Sequence, residues 1–209
     1  MSNKRNKKGL LLVISGPSGA GKGTIHNAVI KECPFLKKSI SVTTRSPRVG
    51  EQEGVHYYFK SVEQFMEMKN KGEFLESAEV YKNFYGTPKA PVMKILDNGD
   101  DVIFEIDICG ARQIKNIYPE SILIFVMPPS FEVLEKRLRG RGTDAEDVIL
   151  RRLSQAKSEL ATYKEFDYFV VNDDIQKSID DVVSIIKSEK CKVKRNVEFI
   201  NEILDKGEN

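Results

Sequence analysis

The residues best suited to chemistry lie near the start of the chain, in the run Gly16-Pro17-Ser18-Gly19-Ala20-Gly21-Lys22-Gly23-Thr24. Glycines at 16, 19 and 21 admit positive φ, so successive backbone N–H groups can turn into one concavity. Such a concavity fits a phosphate group. Lys22 adds a mobile point charge that can reach outer phosphates, and a helix beginning here adds the positive end of its dipole. In loops of this kind the residue after the lysine commonly offers Mg²⁺ a hydroxyl. Here Gly23 holds that place and Thr24 comes next, which leaves the metal-contacting hydroxyl open. A turn that merely joins a strand to a helix has no need of all these residues in register.

A phosphate loop needs a buried strand before it and a helix after it. Leu10 to Ile14 supplies the strand, and Ile25 to Cys33 predicts the helix. After the break at Cys33-Pro34-Phe35, Lys38 to Val42 reads as a short strand. From there to about Gly86 the texture turns aromatic and polar, with His56-Tyr57-Tyr58-Phe59 and later Tyr81, Phe84 and Tyr85, as an inserted lobe would. Within it, Val62, Phe65, Met66 and Met68 give Val62 to Lys71 a helical apolar face. A helix follows from about Pro88 to Leu96. Val102 to Asp107 and Ser121 to Met127 are near-continuous apolar runs, as strands covered on both faces should be, and Pro128-Pro129 stops the second. Ser130 can cap a helix from Phe131 to Arg139, and Thr143-Asp144-Ala145-Glu146 has the form of a capping box for one from Asp147 to about Lys164. Tyr168 to Val171 reads as a last strand. Two amphipathic helices close the chain, one carrying Ile179 to Ile186 and one Val197 to Leu204, around a basic run from Lys187 to Arg195 read as a solvated face without function. The alternation predicts an α/β sandwich with a parallel core sheet flanked by helices, and ligands at the carboxyl ends of its strands.

Composition bounds the rest. With 209 residues and 40% apolar content, one α/β domain with insertions has a real core, which excludes disordered and fibrous classes. Thirty-three basic against 31 acidic residues leave a net charge of +2, so no strong field argues for nucleic acid or an anionic membrane as partner. Cys33, Cys109 and Cys191 are far apart, with only His26 and His56 as other soft ligands, which points to reduced thiols rather than disulfides or zinc. The basic start Lys4-Arg5-Asn6-Lys7-Lys8 is followed by too short an apolar run for a signal peptide, and no stretch is long enough to span a membrane. The expectation is a cytoplasmic protein.

The chain also carries, in order, Ser15-Gly16-Pro17-Ser18-Gly19-Ala20-Gly21-Lys22, Ser41-Val42-Thr43-Thr44-Arg45-Ser46-Pro47-Arg48, Phe74-Leu75-Glu76, Tyr85-Gly86-Thr87, Glu105-Ile106-Asp107, Pro128-Pro129-Ser130, Arg137-Leu138-Arg139-Gly140-Arg141-Gly142 and Val171-Asn172-Asp173-Asp174. In this order they closely resemble the guanylate kinases, the ATP:GMP phosphotransferases, from Gly9 to about Lys187. The resemblance implies a P-loop NTPase fold in three parts: a core (9–42, 88–136 and 153–187) for ATP, a GMP-binding lobe (43–87) and a lid (137–152), with 188–209 as a C-terminal helical extension. It implies transfer of the γ-phosphoryl group of ATP to GMP, and to dGMP, with Mg²⁺, in purine nucleotide metabolism. ATP and GMP are the implied partners; self-association is left open.

By the same resemblance ATP is held by Gly16, Pro17, Ser18, Gly19, Ala20, Gly21, Lys22, Gly23 and Thr24, with Asn172 on the adenine side and Thr24 as the candidate metal ligand. Lys22, Arg137, Arg141 and Arg152 are the implied catalytic cations, while Arg139 and Arg151 are read as solvated. Arg45 and Arg48 with Tyr57 and Tyr85 suit a phosphate dianion, through a guanidinium fork and phenolic donors. Guanine presents N1–H and an amine on one edge, so it needs a carboxylate, supplied by Glu76, and hydroxyls, supplied by Ser41 and Thr87. Glu105 stands where the family has an acidic residue that assists at the base. Asp107 is placed to act through water on Mg²⁺ or to orient the acceptor phosphate. A kinase for another monophosphate would not need Glu76 beside Ser41 and Thr87. A binding scaffold of the same fold should have lost the loop or its lysine, and a GTPase switch would need a lysine that Val171-Asn172-Asp173-Asp174 lacks.

Overall fold

The computed structural model describes residues 8–80, 82–140 and 145–207. Strand β1 (Leu11–Ser15) is buried throughout and leads through the glycine loop into α1 (Lys22–Glu32). The helix starts three residues earlier than the apolar pattern predicts. Gly21 at φ 92° turns the chain directly into it, so Lys22 is its first residue. The single strand expected from Lys38 to Val42 is instead two short strands, β2 (Leu36–Lys38) and β3 (Val42–Thr43), which belong to different sheets. Then come β4 (Tyr58–Phe59), α2 (Val62–Asn70), β5 (Phe74–Val80), β6 (Asn83–Pro88), α3 (Lys89–Asp97) and β7 (Asp101–Glu105). The rest is α4 (Ile108–Ile117), β8 (Ile122–Met127), α5 (Phe131–Arg139), α6 (Glu146–Leu160), β9 (Tyr168–Val171), α7 (Ile175–Lys190) and α8 (Val197–Gly207).

The core sheet runs β2-β7-β1-β8-β9, and every neighbouring pair is parallel. Alternate residues of β1 face opposite layers. Leu12 and Ile14 pack with Ile25 and Val29 of α1 and with Ile179, Val182 and Ile186 of α7. Leu11 and Val13 pack with Val92 and Leu96 of α3 and with Ala111 and Ile114 of α4. Burying each of these leucines, isoleucines and valines contributes about 1.5–3 kcal/mol before conformational entropy. This is the helix-flanked parallel sheet that the sequence predicts, and it brings the carboxyl ends of β1, β7, β8 and β9 to one edge.

A second sheet, β4-β3-β6-β5, is built from residues within 42–88 and has its own small core. Phe65 of α2 stacks on Phe74 at 4.6 Å and on Phe84 at 5.5 Å between ring centroids. Ser61 and Gln64 close a reciprocal capping box on α2. The β5–β6 hairpin is not predicted by the sequence reading, because Phe74–Val80 alternates poorly. Its strands are held by cross-strand partners rather than by a strong pattern of their own. Helix α4 is likewise unpredicted, although Asp107 caps it by accepting from the Gly110 amide at 2.7 Å.

Two local features differ from the sequence pattern. Helix α6 starts at Glu146 with Ala145 at its N-cap and no side-chain cap; Thr143 and Asp144 lie outside the described residues. The basic run from Lys187 is not a plain solvated face. It continues α7 and meets two buried carboxylates: Lys190 pairs with Asp101, whereas Lys192 and Arg195 pair with Glu189. Tyr168 Oη also donates to Glu189, at 2.6 Å.

Candidate active site

The glycine loop is shaped by contacts that admit no side chain. A Cβ on Gly16 (φ 143°) would fall 2.4 Å from the Val126 carbonyl oxygen, and one on Gly21 would fall 2.0 Å from Asn172 Nδ2. Asn172, at the end of β9, is buried and donates through Nδ2 to the Ala20 carbonyl at 2.8 Å. The residue implied as an adenine contact thus also braces the loop. Arg137 joins the brace from α5, with Nη2 donating to the Asn172 carbonyl at 2.8 Å and Nη1 to that of Ala20 at 3.3 Å. Lys22 Nζ folds over the loop, donating to the Gly16 carbonyl at 2.7 Å and to that of Pro17 at 3.1 Å. The Ser18 amide donates to Glu159 Oε2 at 3.2 Å, so an oxyanion already stands on one loop N–H.

Thr24 is exposed in the first turn of α1, and Arg152 is half-buried on α6. Arg141 lies outside the described residues. Gly23 faces Glu105: a Cβ there would meet the two carboxylate oxygens at 3.2 and 3.3 Å. The Glu105 carboxylate therefore stands beside the loop.

A second group of side chains gathers between the two sheets. In the β5–β6 pairing Glu76 and Thr87 are direct partners, next to an irregularity in register between Phe74 and Glu76. Both are buried, and Thr87 Oγ1 donates to Glu76 Oε1 at 2.6 Å. Burial pushes the Glu76 carboxyl up; the Thr87 hydrogen bond opposes this, and the nearby Asp107 charge adds to it. A Cβ on Gly110 would lie 3.3 Å from Glu76 Oε2 and 3.5 Å from Asp107 Oδ1, so the two carboxylates converge over that glycine. Ser41 is half-buried just before β3.

Arg45, Tyr57 and Tyr85 form a third group. The Arg45 guanidinium lies 5.6 Å from the Tyr57 ring centroid, and the Tyr57 and Tyr85 rings meet edge-on at 6.1 Å. Glu51 first, and the Tyr85 hydroxyl after it, raise the Arg45 pKa. Arg48 is exposed, and its amide donates to Glu51.

One short segment joins these groups. Glu105 stands beside Gly23 of the loop, and Asp107 stands beside Glu76. Two residues of chain span at most about 7 Å, so the loop and the carboxylate pair are neighbours at the carboxyl end of β7. The arrangement offers cations and N–H groups for a polyphosphate on one side. On the other it offers a desolvated carboxylate with a hydroxyl for a base edge, and a cationic aromatic corner for a second phosphate. The sequence motifs do not single out Glu51 or Glu159. Glu51 had a signal, a carboxylate three residues after Arg48 in the same turn, whereas Glu159 meets Ser18 across the whole fold and had none.

The family model described as guanylate kinase matches residues 8–189. A guanylate kinase of Clostridioides difficile (strain 630) is 54% identical over 196 residues, covering 94% of this chain and 96% of the relative. One from Carboxydothermus hydrogenoformans is 53% identical over 188 residues, covering 90% and 92%. Among solved structures, the guanylate kinase from Anaplasma phagocytophilum superposes with a TM-score of 0.74 at 34% identity, covering 96% of this chain and 95% of that one. A shikimate kinase from Bacteroides thetaiotaomicron, at 16% identity and a TM-score of 0.50, shares the fold alone.

Proposed function

The chain belongs to the guanylate kinase family and is a phosphotransferase that moves the γ-phosphoryl group of ATP to GMP; we propose how its residues divide that work. The glycine loop and Lys22 hold the ATP phosphates. Glu76, Thr87, Ser41 and Asp107 read guanine, and Arg45, Arg48, Tyr57 and Tyr85 hold the GMP phosphate. Residues 43–87 form the acceptor lobe and 137–152 the lid, whose Arg137, Arg141 and Arg152 approach the transferring group. The observation that carries this division is the two-residue link from Glu105, beside the loop, to Asp107, beside Glu76.

The transferring phosphoryl group spreads negative charge over its equatorial oxygens, so catalysis rests on alignment and cations rather than on a strong base. The acceptor is a phosphate oxygen whose second pKa is about 6, already ionised at neutral pH. Lys22 must leave the Gly16 and Pro17 carbonyls to reach the outer phosphates, and the loop N–H groups stay as a fixed cradle. The resemblance to the family extends the reading to dGMP.

Among the described residues no three His, Cys, Asp or Glu side chains gather as a metal cluster. That suits Mg²⁺, which takes one or two protein oxygens and fills its shell with phosphate and water. The Thr24 hydroxyl and the Glu105 carboxylate beside Gly23 are hard oxygen donors on the loop side and would hold it. When bound, the ion neutralises phosphate charge. Among the described residues no helix is long and apolar enough to cross a membrane, and Cys33, Cys109 and Cys191 are free thiols, which supports a cytoplasmic setting.

Lys22→Ala tests the assignment. It removes the cation and leaves the cradle, so kcat for GMP-dependent ADP release should fall by about 10²–10³ while KM for GMP holds. A folded variant with near-normal kcat would show that Lys22 is not the catalytic cation.

A further inference from the structure

Glu51 has no part in the division of work above, yet it centres the tightest polar cluster of the turn after β3. Its Oε1 accepts from Arg45 Nη2 at 2.7 Å, and its Oε2 accepts from the same nitrogen at 2.9 Å and from the Arg48 amide at 2.7 Å. Arg45 Nη1 is held in turn by the Ser46 carbonyl at 2.8 Å. The two side chains of the ion pair are only 15% and 18% exposed.

We propose that Glu51 is a positioning residue for the acceptor phosphate. It sets the Arg45 fork and the 45–51 turn so that the remaining guanidinium donors face the phosphate together with Tyr57 and Tyr85. The inference rests on the reading of Arg45 as a phosphate ligand.

Two effects of a carboxylate at this place oppose each other. A free arginine loses much rotamer entropy when it grips a ligand, and a fork already held by Glu51 and Ser46 has lost it beforehand. Against this, a negative charge near a dianion repels it. The backbone contact decides between them. Glu51 holds the backbone of the turn through the Arg48 amide as well as the Arg45 side chain. Its displacement by ligand would also leave that N–H without its acceptor and open the turn. Both Glu51 oxygens are turned to donors on Arg45 and Arg48, which answer its charge where it stands. Arg45 and the Arg48 amide hold the carboxyl down to about 2, so the clamp stays ionised through the neutral and mildly acidic range.

The experiment compares Glu51→Ala, Glu51→Asp and Arg45→Ala with the unaltered chain by ADP-release kinetics. Guanosine, which lacks the phosphate, serves as a competitive inhibitor against GMP. Misplacing a charged ligand group by a fraction of its length weakens binding strongly. Glu51→Ala should therefore raise KM for GMP by about tenfold or more, with kcat and KM for ATP changed less than about threefold and the guanosine Ki unchanged. Glu51→Asp should recover part of the loss. An unchanged or lower KM for GMP in Glu51→Ala overturns the proposal, as does an equal weakening of guanosine and GMP, which would make Glu51 a general support of the turn. Arg45→Ala separates the two layers. If it leaves GMP binding intact, the reading of Arg45 fails and the inference with it. If it weakens GMP while Glu51→Ala does not, only the positioning role fails.

Discussion

Glu76, proposed above to read guanine, carries a cost in its buried carboxyl. Its carboxyl is buried, and burial raises its pKa because ionisation there lacks solvent. A carboxylic acid with a raised folded pKa leaves stability intact below its ordinary value of 4.5 and loses it as pH rises through the folded value. Glu76→Gln should therefore melt at a higher temperature than the unaltered chain at pH 7, and the advantage should vanish below about pH 4. The same change turns one acceptor into a donor facing guanine N1–H. It should cost GMP about 2–4 kcal/mol in kcat/KM, with a smaller loss or a slight gain for AMP, whose N1 is a lone pair. Kinetics with both monophosphates check the second expectation and calorimetry across pH the first. Equal losses for GMP and AMP would mean that Glu76 supports the strand pair and that guanine is read elsewhere.

At the scale of elements, the end of α7 is anchored rather than free. Burial works against the charge of Glu189, but hydrogen bonds from Lys192 and Tyr168 and the Arg195 charge outweigh it and keep its carboxyl below the usual range. The anchor joins α7 and the turn at Val193–Arg195 to β9, and none of its residues belongs to the loop or the carboxylate pair. Glu189→Ala strands the Tyr168 hydroxyl and leaves Lys192 and Arg195 to resolvate. It should lower unfolding free energy by about 2 kcal/mol, read from urea denaturation, with kcat unchanged. Because the folded pKa is depressed, this contribution is present above 4.5 and is lost as pH falls below it, so the difference between the two proteins should shrink in acid.

For the whole molecule, the cations assigned to phosphate sit on separate pieces: Lys22 on the loop, Arg45 and Arg48 beside the second sheet, Arg137 and Arg152 on α5 and α6. Arg137 already stands against the loop through the Ala20 carbonyl, and closure of the second sheet and α6 onto it is expected to gather the remaining cations around joined phosphates. An open pocket of about 500 Å³, lined by Val42, Tyr58, Met68, Pro88 and Met93 among others, lies where the second sheet meets α3. A bisubstrate analogue that links ATP to GMP should reduce the radius of gyration measured by small-angle scattering. An unchanged value would indicate a rigid, preformed site.

The parallel core and the phosphate loop were legible in the sequence because each is a local pattern. Leu10 to Ile14 and Ser121 to Met127 are continuous apolar runs, and the glycines and Lys22 stand in register with a strand and a helix. The residues proposed to read guanine are implied by the resemblance, motif by motif. Tertiary structure decided what depends on partners distant in the chain. Glu76 finds Thr87 only through the β5–β6 register, and Phe74–Val80 becomes a strand only because Asn83–Pro88 pairs with it. Glu105 stands beside the loop and Asp107 beside Glu76 although only Ile106 separates them, since one ends a strand and the other caps a helix. The charges of Lys187 to Arg195 looked solvated because their answering carboxylates include Asp101, which only folding brings beside Lys190. Local pattern carries the energy of forming an element, whereas a desolvated charge is settled by whichever partner the packed chain delivers to it.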